Sequence, residues 1–142
     1  MFVKQLTVFI ENRVGTLEEV MQVLADKNIN IYSISLADTS EYGLLRLIVE
    51  EPDKAKAFLK EAGFTAKTTE LVAVKLENKV GTLLGLTEAI ANAGVGVEYM
   101  YAMAVSKTGI MILKTSDGNA AVDALTAAGY TVLSQDALYN IE

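Results

Sequence analysis

The chain has 142 residues, 51% of them hydrophobic and 21% charged, with a net charge of −6 at pH 7 and neither cysteine nor histidine. This balance is typical of folded proteins and not of disordered chains. The lack of cysteine and histidine excludes disulfides, thiolate nucleophiles, the commonest general base and the commonest metal ligand. We therefore expect a protein that is not an enzyme, with no catalytic residues, no metal site and no cofactor.

Two further classes of partner are not expected. The basic residues are scattered singly along an acidic chain, so no basic stripe is available to neutralise the phosphates of nucleic acid. No stretch reaches about 18 uninterrupted apolar residues, as a membrane helix would. Residues 1–10 alternate like a β-strand and do not resemble a signal peptide. We therefore expect a cytoplasmic protein that binds neither nucleic acid nor a membrane.

The first half of the chain predicts six elements in the order strand, helix, strand, strand, helix, strand. Alternation predicts a strand over 5–11, and apolar residues spaced by three and four over 17–24 predict a helix that ends near Asn28. The turn holding Gly43 predicts a hairpin of the strands 29–37 and 44–49. Pro52 is placed to begin the second helix and Gly63 to end it, before a strand over 65–69.

The second half repeats this order at a constant offset of 66 residues. The segment Glu11-Asn12-Arg13-Val14-Gly15-Thr16-Leu17 returns as Glu77-Asn78-Lys79-Val80-Gly81-Thr82-Leu83. Strands are predicted over 71–77, 95–105, 110–115 and 131–134, with Gly109 in the second hairpin turn. Gly94 and Gly129 are predicted to end the two helices, and Ser116 or Asp117 to cap the second one. No insertion or deletion is needed, which indicates a duplicated unit.

The order βαββαβ defines the split βαβ, or ferredoxin-like, unit, in which two helices cover one face of a four-stranded antiparallel sheet. The sequence therefore predicts an α+β protein with two such units in tandem. We place the first domain at residues 1–70 and the second at 71–142. Since only Glu70 separates the last strand of one from the first strand of the next, no flexible linker is expected.

A unit of this order and length, with Asn-x-Val-Gly-Thr-Leu between its first strand and first helix, resembles the ACT domain, the amino-acid-binding regulatory module of biosynthetic enzymes. The resemblance covers essentially the whole chain. It implies that the two units pair side by side through their second strands, with effectors lying where the turn of one unit faces the other. Many relatives carry an enzyme domain beside the sensor, whereas none is expected here.

The repeated turn suits an amino acid, which needs donors for its carboxylate and acceptors for its ammonium. The N–H groups of the helix that begins near Thr16 or Thr82 form a site for a carboxylate. Gly15 and Gly81 let a ligand approach the backbone closely, and Asn12 and its repeat counterpart can accept and donate. Side chains of the second strands are expected to select the ligand. The predicted ligand-binding residues are Asn12, Arg13, Val14, Gly15, Thr16, Leu17, Asn78, Lys79, Val80, Gly81, Thr82, Leu83, Ser33, Ser35, Tyr99 and Tyr101.

The two turns are not equivalent in sequence. Thr16-Leu17-Glu18-Glu19 has the pattern of a capping box, and its counterpart Thr82-Leu83-Leu84-Gly85 does not. The second helix start therefore keeps more of its donors, and Lys79 lies close by. We expect the second turn to hold the ligand carboxylate more strongly.

Other interpretations of the same residues stay open. Asn, Gly and Thr also form ordinary strand-to-helix turns, and the two tyrosines can simply cover the sheet. The protein can then be a structural dimerisation module that binds no ligand. An acylphosphatase-like hydrolase has faint support from Arg13 beside Asn12. The leading interpretation is a stand-alone sensor whose partners are a free amino acid and a biosynthetic enzyme regulated in trans.

Two further expectations concern contacts and the C-terminus. The strands 97–105 and 44–49 are apolar on both faces, so we expect a homo-oligomer contact or a partner enzyme to cover the face away from the helices. Residues 138–141 align with 72–75, which favours either an extra edge strand or a frayed tail.

Overall fold

The structure, a computed structural model, describes residues 1–38, 41–105 and 108–141. Its elements follow the predicted order in both halves of the chain. They are β1 Val3–Glu11, α1 Thr16–Asp26, β2 Ile31–Asp38, β3 Tyr42–Val49, α2 Pro52–Glu61, β4 Thr65–Leu76, α3 Thr82–Asn92, β5 Val97–Val105, β6 Thr108–Thr115, α4 Gly118–Ala127, β7 Val132–Leu133 and α5 Gln135–Tyr139.

The chain divides into two compact units. The first unit comprises Lys4–Thr69, and the second comprises Glu70–Glu142 together with Met1–Val3. The strand order is β2-β3-β1-β4 in the first unit and β5-β6-β4-β7 in the second. β3 pairs antiparallel with β1 and β2, and β6 pairs antiparallel with β4 and β5. The predicted α+β class, with two ferredoxin-like units in tandem, is confirmed.

β4 differs from the prediction, because the two strands expected on either side of Glu70 form one continuous strand. Its sequence, TAKTTELVAVKL, contains no glycine or proline that would interrupt the extended backbone. The described part of the chain therefore has seven strands, where the repeat predicted eight.

The core of the first unit lies between its sheet and its two helices. Val20 and Leu24 of α1 and Leu59 of α2 are fully buried against Leu45 and Leu47 of β3. The spacing of four between the two α1 residues places both on the same helix face. The helices of this unit therefore cover one face of its sheet.

The second unit repeats this packing at equivalent positions. Leu86 and Ile90 of α3 and Leu125 of α4 pack with Val74 of β4 and Leu113 of β6, each at most 1% exposed. Each of these five residues corresponds, at the offset of 66, to a buried apolar residue in the core of the first unit. The same pattern therefore builds the same core twice.

Most of the predicted helix ends are confirmed. Pro52 occupies the start of α2, and the carboxylate of Asp117 caps α4 by accepting from the N–H of Ala120 at 3.1 Å. Ser116, the alternative cap, instead accepts from the N–H of Gly96. The residues predicted to end the helices, Asn28, Gly63, Gly94 and Gly129, all have positive φ.

The predicted position of the hairpin glycines was wrong. Gly43 lies within β3 and Gly109 within β6, each paired with a neighbouring strand. A Cβ on Gly109 would lie 2.7 Å from the carbonyl oxygen of Leu76. The glycine is therefore required by the close approach of two strands, and not by a turn.

The C-terminal segment is neither an edge strand nor a frayed tail. Residues Gln135–Tyr139 form a short helix, α5, whose N-cap Ser134 accepts from the N–H of Ala137 at 3.1 Å. Leu138 is buried. The capping serine followed by Gln-Asp favours a helix start, and this local signal prevails over the alignment with 72–75.

In each unit, apolar side chains lie on the sheet face away from the helices. Ile48 of β3 and Ile110 and Ile112 of β6 are on this face, and all three are buried. Cover of this face by a homodimer contact or a partner enzyme stays a prediction. In the described residues, no helix has both the length and the apolar character needed to cross a membrane.

Candidate functional site

The first strand-to-helix turn, residues 12–17, is held by the hydroxyl of Thr16. This hydroxyl donates to the carbonyl oxygens of Glu11 at 2.7 Å and Arg13 at 3.0 Å. Gly15 precedes the helix with φ of 94°, a conformation that residues with a Cβ rarely adopt. Together these contacts turn the chain from the end of β1 directly into α1.

The second turn, residues 78–83, is built in the same way. The hydroxyl of Thr82 donates to the carbonyl oxygens of Glu77 at 2.7 Å and Lys79 at 2.9 Å, and Gly81 has φ of 90°. The predicted repeat of the turn therefore extends from its sequence to its hydrogen bonds.

The predicted capping box at the first turn does not form. The N-cap position is taken by Gly15, and Thr16 is already the first helical residue. Because the Thr16 hydroxyl donates back into the turn, it is not available to cap the helix. The first N–H groups of α1 thus receive no side-chain cap, and the same holds for α3.

Both helix starts can therefore bind an anion. In an α-helix the N–H groups of the first turn have no acceptor inside the helix, and the aligned peptide dipoles place partial positive charge there. At α1 these groups include Leu17 and Glu18, and at α3 they include Leu83 and Leu84. A carboxylate is the kind of group that such an N-terminus accommodates.

A cavity of about 170 Å³ lies beside the first turn, and we call it the Asp38 cavity. The side-chain N–H of Asn12 donates to the carboxylate of Asp38 at 3.2 Å across it. This bond leaves the amide oxygen of Asn12 and the second carboxylate oxygen of Asp38 as acceptors for an ammonium group. The cavity is lined among others by Asn12, Gly15, Thr16, Leu36, Asp38 and Gly43.

The basic residue of each turn pairs with acids of the same unit. Arg13 contacts Glu11 at 3.1 Å and Glu19 at 3.4 Å. The hydrogen bond that Arg13 donates to Glu11, followed by the charge of Glu19, raises the pKa of Arg13. Lys79 contacts Glu77 at 2.8 Å, and this hydrogen bond with its charge attraction lowers the pKa of the Glu77 carboxyl. The Arg13 guanidinium thus faces two carboxylates, unlike the cation that an acylphosphatase would direct at a phosphate.

The predicted second-strand residues lie on the sheet face away from the helices. Ser33 and Ser35 pair with Ile48 and Arg46, while the alternate residue Leu36 lies opposite the core residue Leu45. In the second unit Tyr99 and Tyr101 lie opposite Lys114 and Ile112. From β2 it is Leu36, Ala37 and Asp38 that line the Asp38 cavity.

A larger cavity, about 490 Å³, lies beside the second turn, and we call it the Lys75 cavity. It opens between the end of β4, the start of β6 and the loop that leads into β7. The hydroxyl of Tyr130 is 3.5 Å from the carbonyl oxygen of Thr82 at its wall. Its lining includes Lys75, Glu77, Thr82, Thr108, Tyr130 and Thr131.

Several residues that line the two cavities are not predicted by the sequence patterns. Asp38 is the only acid in β2, and nothing in the linear pattern shows that it meets Asn12. Lys75, Thr108 and Tyr130 replace Phe9, Tyr42 and Phe64 at the repeat offset. This exchange of aromatic for smaller or polar residues is a signal that the sequence did contain. Within the described residues, no group of three or more acids is placed to hold a metal ion.

The threonine hydroxyls give a direct test of the turn geometry. We expect Thr16→Val to lower the free energy of unfolding by about 0.5–1.5 kcal/mol, because the carbonyl oxygens of Glu11 and Arg13 lose their side-chain donor. Thr82→Val should cost less, since Thr82 is more exposed than Thr16, whose exposed fraction is 4%. Urea unfolding measures both, with Thr126→Val on the exposed side of α4 as control. A Thr16→Val value equal to that of the control would contradict the proposed role of the hydroxyl.

Comparison with known proteins identifies the family. The sequence matches the family described as an ACT domain pair over residues 1–141. A solved protein from Bacteroides thetaiotaomicron is 33% identical, with a TM-score of 0.93, over 99% of this chain and 98% of that one. No curated protein sequence matches the chain.

More distant solved structures share the fold. The regulatory subunit of aspartate kinase from Thermus thermophilus is 20% identical, with a TM-score of 0.64, over 89% of this chain and 92% of that one. The corresponding subunit from Thermus flavus is 18% identical, with a TM-score of 0.61, over 88% and 91%. The family match spans nearly the whole chain, and the duplicated βαββαβ units carry the same turn, so the chain belongs to the family of ACT domain pairs.

Proposed function

We propose that this chain is a regulatory module that binds a free amino acid at its strand-to-helix turns. The observation that carries the proposal is the first turn, where the uncapped start of α1 lies beside the Asn12–Asp38 pair. The helix N–H groups suit a carboxylate, and the acceptor oxygens of the pair suit an ammonium group. An α-amino acid carries these two groups on one carbon atom.

The regulatory part of the proposal has support from the fold, which the chain shares with regulatory subunits of aspartate kinase. In such a mechanism the amino acid favours one of two states of the protein, and a partner responds to that state. We keep as predictions a biosynthetic enzyme regulated in trans, a homo-oligomer and a cytoplasmic location. The boundary between domains 1–70 and 71–142, the side-by-side pairing of the units and the second-strand residues also stay predictions.

The difference between the turns also stays a prediction, although its reason has changed. No capping box occupies the first helix start, but Glu18 and Glu19 still place two acids in its first turn, where α3 has none. These charges disfavour a second carboxylate there. On this ground we retain the expectation that the second turn holds the ligand carboxylate more strongly than the first.

Thermal unfolding in the presence of each of the twenty amino acids tests the proposal. A ligand at about 100 times its Kd should stabilise the folded state by ~2.7 kcal/mol, which raises the Tm by several degrees for a chain of this size. We expect one amino acid, or one chemically related set, to raise the midpoint. A flat response from a well-folded protein would favour a structural dimerisation module, and the proposed function would then be wrong.

A further inference from the structure

We propose that the stronger of the two sites is the Lys75 cavity of the second unit, and that its effector is an amino acid with a second carboxylate on its side chain. This inference deepens the proposed function and rests on it. The cavity shares Glu77 and Thr82 with the second turn and extends to Thr108 and Tyr130 on two other elements. Its volume of about 490 Å³ falls within the range of roughly 300–1,000 Å³ that is common for small-molecule sites.

The first unit shows what the same positions do when aromatic residues occupy them. The counterparts of Lys75 and Thr108 are Phe9 and Tyr42, whose ring centroids are 5.7 Å apart at an angle of 59°. The ammonium of Lys67 lies 5.6 Å from the centroid of the Phe9 ring. The counterpart of Tyr130 is Phe64, and both rings pack against the core of their own unit. In the first unit the positions of Lys75 and Thr108 therefore hold two rings in contact, of which Tyr42 is 40% exposed.

The second unit has lost two of these three rings. Lysine replaces Phe9, threonine replaces Tyr42, and the third ring, Tyr130, is kept with an added hydroxyl. All three replacements line the Lys75 cavity. The exchange therefore leaves room for a small ligand beside polar groups.

Gly85 adapts the start of α3 to the same cavity. An added Cβ at this position would lie 2.7 Å from the hydroxyl oxygen of Tyr130. The residue at the equivalent position of the first unit is Glu19, which pairs with Arg13. The glycine thus gives the Tyr130 hydroxyl room beside the Thr82 carbonyl, and it also removes a negative charge from the helix start.

The charges of the lining determine the class of ligand. Within the described part of the chain, the ammonium of Lys75 forms no ion pair, whereas the carboxylate of Glu77 is already bound by Lys79 at 2.8 Å. Hydroxyls of Thr108, Tyr130 and Thr131 add further donors to the wall. An α-amino group satisfies the one acid of this wall, and two carboxylates satisfy the ammonium of Lys75 and the hydroxyl donors. A dicarboxylic amino acid combines these groups.

Isothermal titration calorimetry on the full chain tests the inference with four defined ligands, L-aspartate, L-glutamate, L-asparagine and L-glutamine. We expect one of the two acids to bind at least about tenfold more tightly than its amide, because the amide lacks the charge-assisted contact. Lys75→Met should weaken binding of that acid by about tenfold or more. Thr108→Tyr, which restores the residue of the first unit, should weaken it at least as much by filling the cavity.

The controls separate this inference from the proposed function. Lys60→Met removes an equal charge from the exposed side of α2 in the first unit and should leave binding unchanged. Far-UV circular dichroism confirms that each variant is folded, and Lys75→Met at an exposed strand position tests the site even if Thr108→Tyr does not fold.

Unchanged binding in both cavity variants would overturn the proposed site. Tight binding of only neutral or basic amino acids would overturn the proposed class of ligand. In either case the proposed function would stand. No binding of any of the twenty amino acids would overturn both.

Discussion

Truncating Leu59 to alanine is expected to lower the free energy of unfolding by about 2–5 kcal/mol. The side chain is fully buried between α2 and the sheet of the first unit, so the variant loses apolar burial and leaves a cavity. Leu125 is its repeat counterpart in α4 and is equally buried, so Leu125→Ala should cost a similar amount. Urea unfolding followed by far-UV circular dichroism measures both losses.

An exposed leucine provides the matched control. Leu84 of α3 is 61% exposed, and Leu84→Ala is expected to change stability by no more than about 0.5 kcal/mol. The urea concentration at the midpoint of unfolding should fall for both core variants. The slope of the unfolding free energy against urea concentration should stay unchanged. A loss below 1 kcal/mol for either core variant would mean that its helix does not pack on the sheet as described.

Replacing Gly109 by alanine is expected to destabilise the second unit by about 1–3 kcal/mol. The new Cβ would lie 2.7 Å from the carbonyl oxygen of Leu76, and a backbone atom in a paired strand cannot move aside without disturbing the β4–β6 pairing. Thermal unfolding and urea unfolding both measure the effect.

Gly43→Ala is the control at the equivalent position of the first unit. There the added Cβ would meet side-chain atoms, Cγ1 of Ile10 at 3.1 Å and Cδ1 of Leu36 at 3.4 Å. These side chains can adjust their positions, and alanine reduces the conformational freedom of the unfolded chain. We therefore expect the free energy of unfolding to change by no more than about 1 kcal/mol. Equal losses at the two positions would contradict the difference between a backbone and a side-chain neighbour.

The sequence was sufficient to predict the architecture because two independent patterns agree in each half. Alternation and helical spacing locate the elements, and the constant offset confirms each of them by a second copy. Local signals such as Pro52 and Asp117 then fix the helix starts. The interiors of the elements were therefore predicted well, since burial on one face imposes the pattern directly.

The features that sequence patterns did not predict depend on contacts between distant residues. Thr16 has the sequence of an N-cap, but its hydroxyl donates to carbonyl oxygens of the preceding turn. Gly109 resembles a turn glycine, but the neighbouring strand requires it. In each case the residue type was informative and its partner was not visible in the linear sequence.

The residues of the candidate site also fall into those that a local pattern predicts and those that depend on contacts between distant segments. The turn residues could be predicted because they repeat as a motif, whereas Asp38 and the lining of the Lys75 cavity come from several separate segments. The two copies also differ at positions that line the Lys75 cavity, as at Phe9 and Lys75. Such differences add to the shared turn as indications of where each unit can hold a ligand.

The central claim is that a free amino acid binds at the strand-to-helix turns, and NMR tests it most directly. The experiment adds the amino acid that raises the unfolding midpoint most to ¹⁵N-labelled protein and follows every backbone amide. We expect the largest shift changes at one or both turns, that is, at Gly15 or Gly81 and at the first amides of the helix that follows it. Changes confined to other parts of the chain, or none at saturating ligand, would contradict the claim.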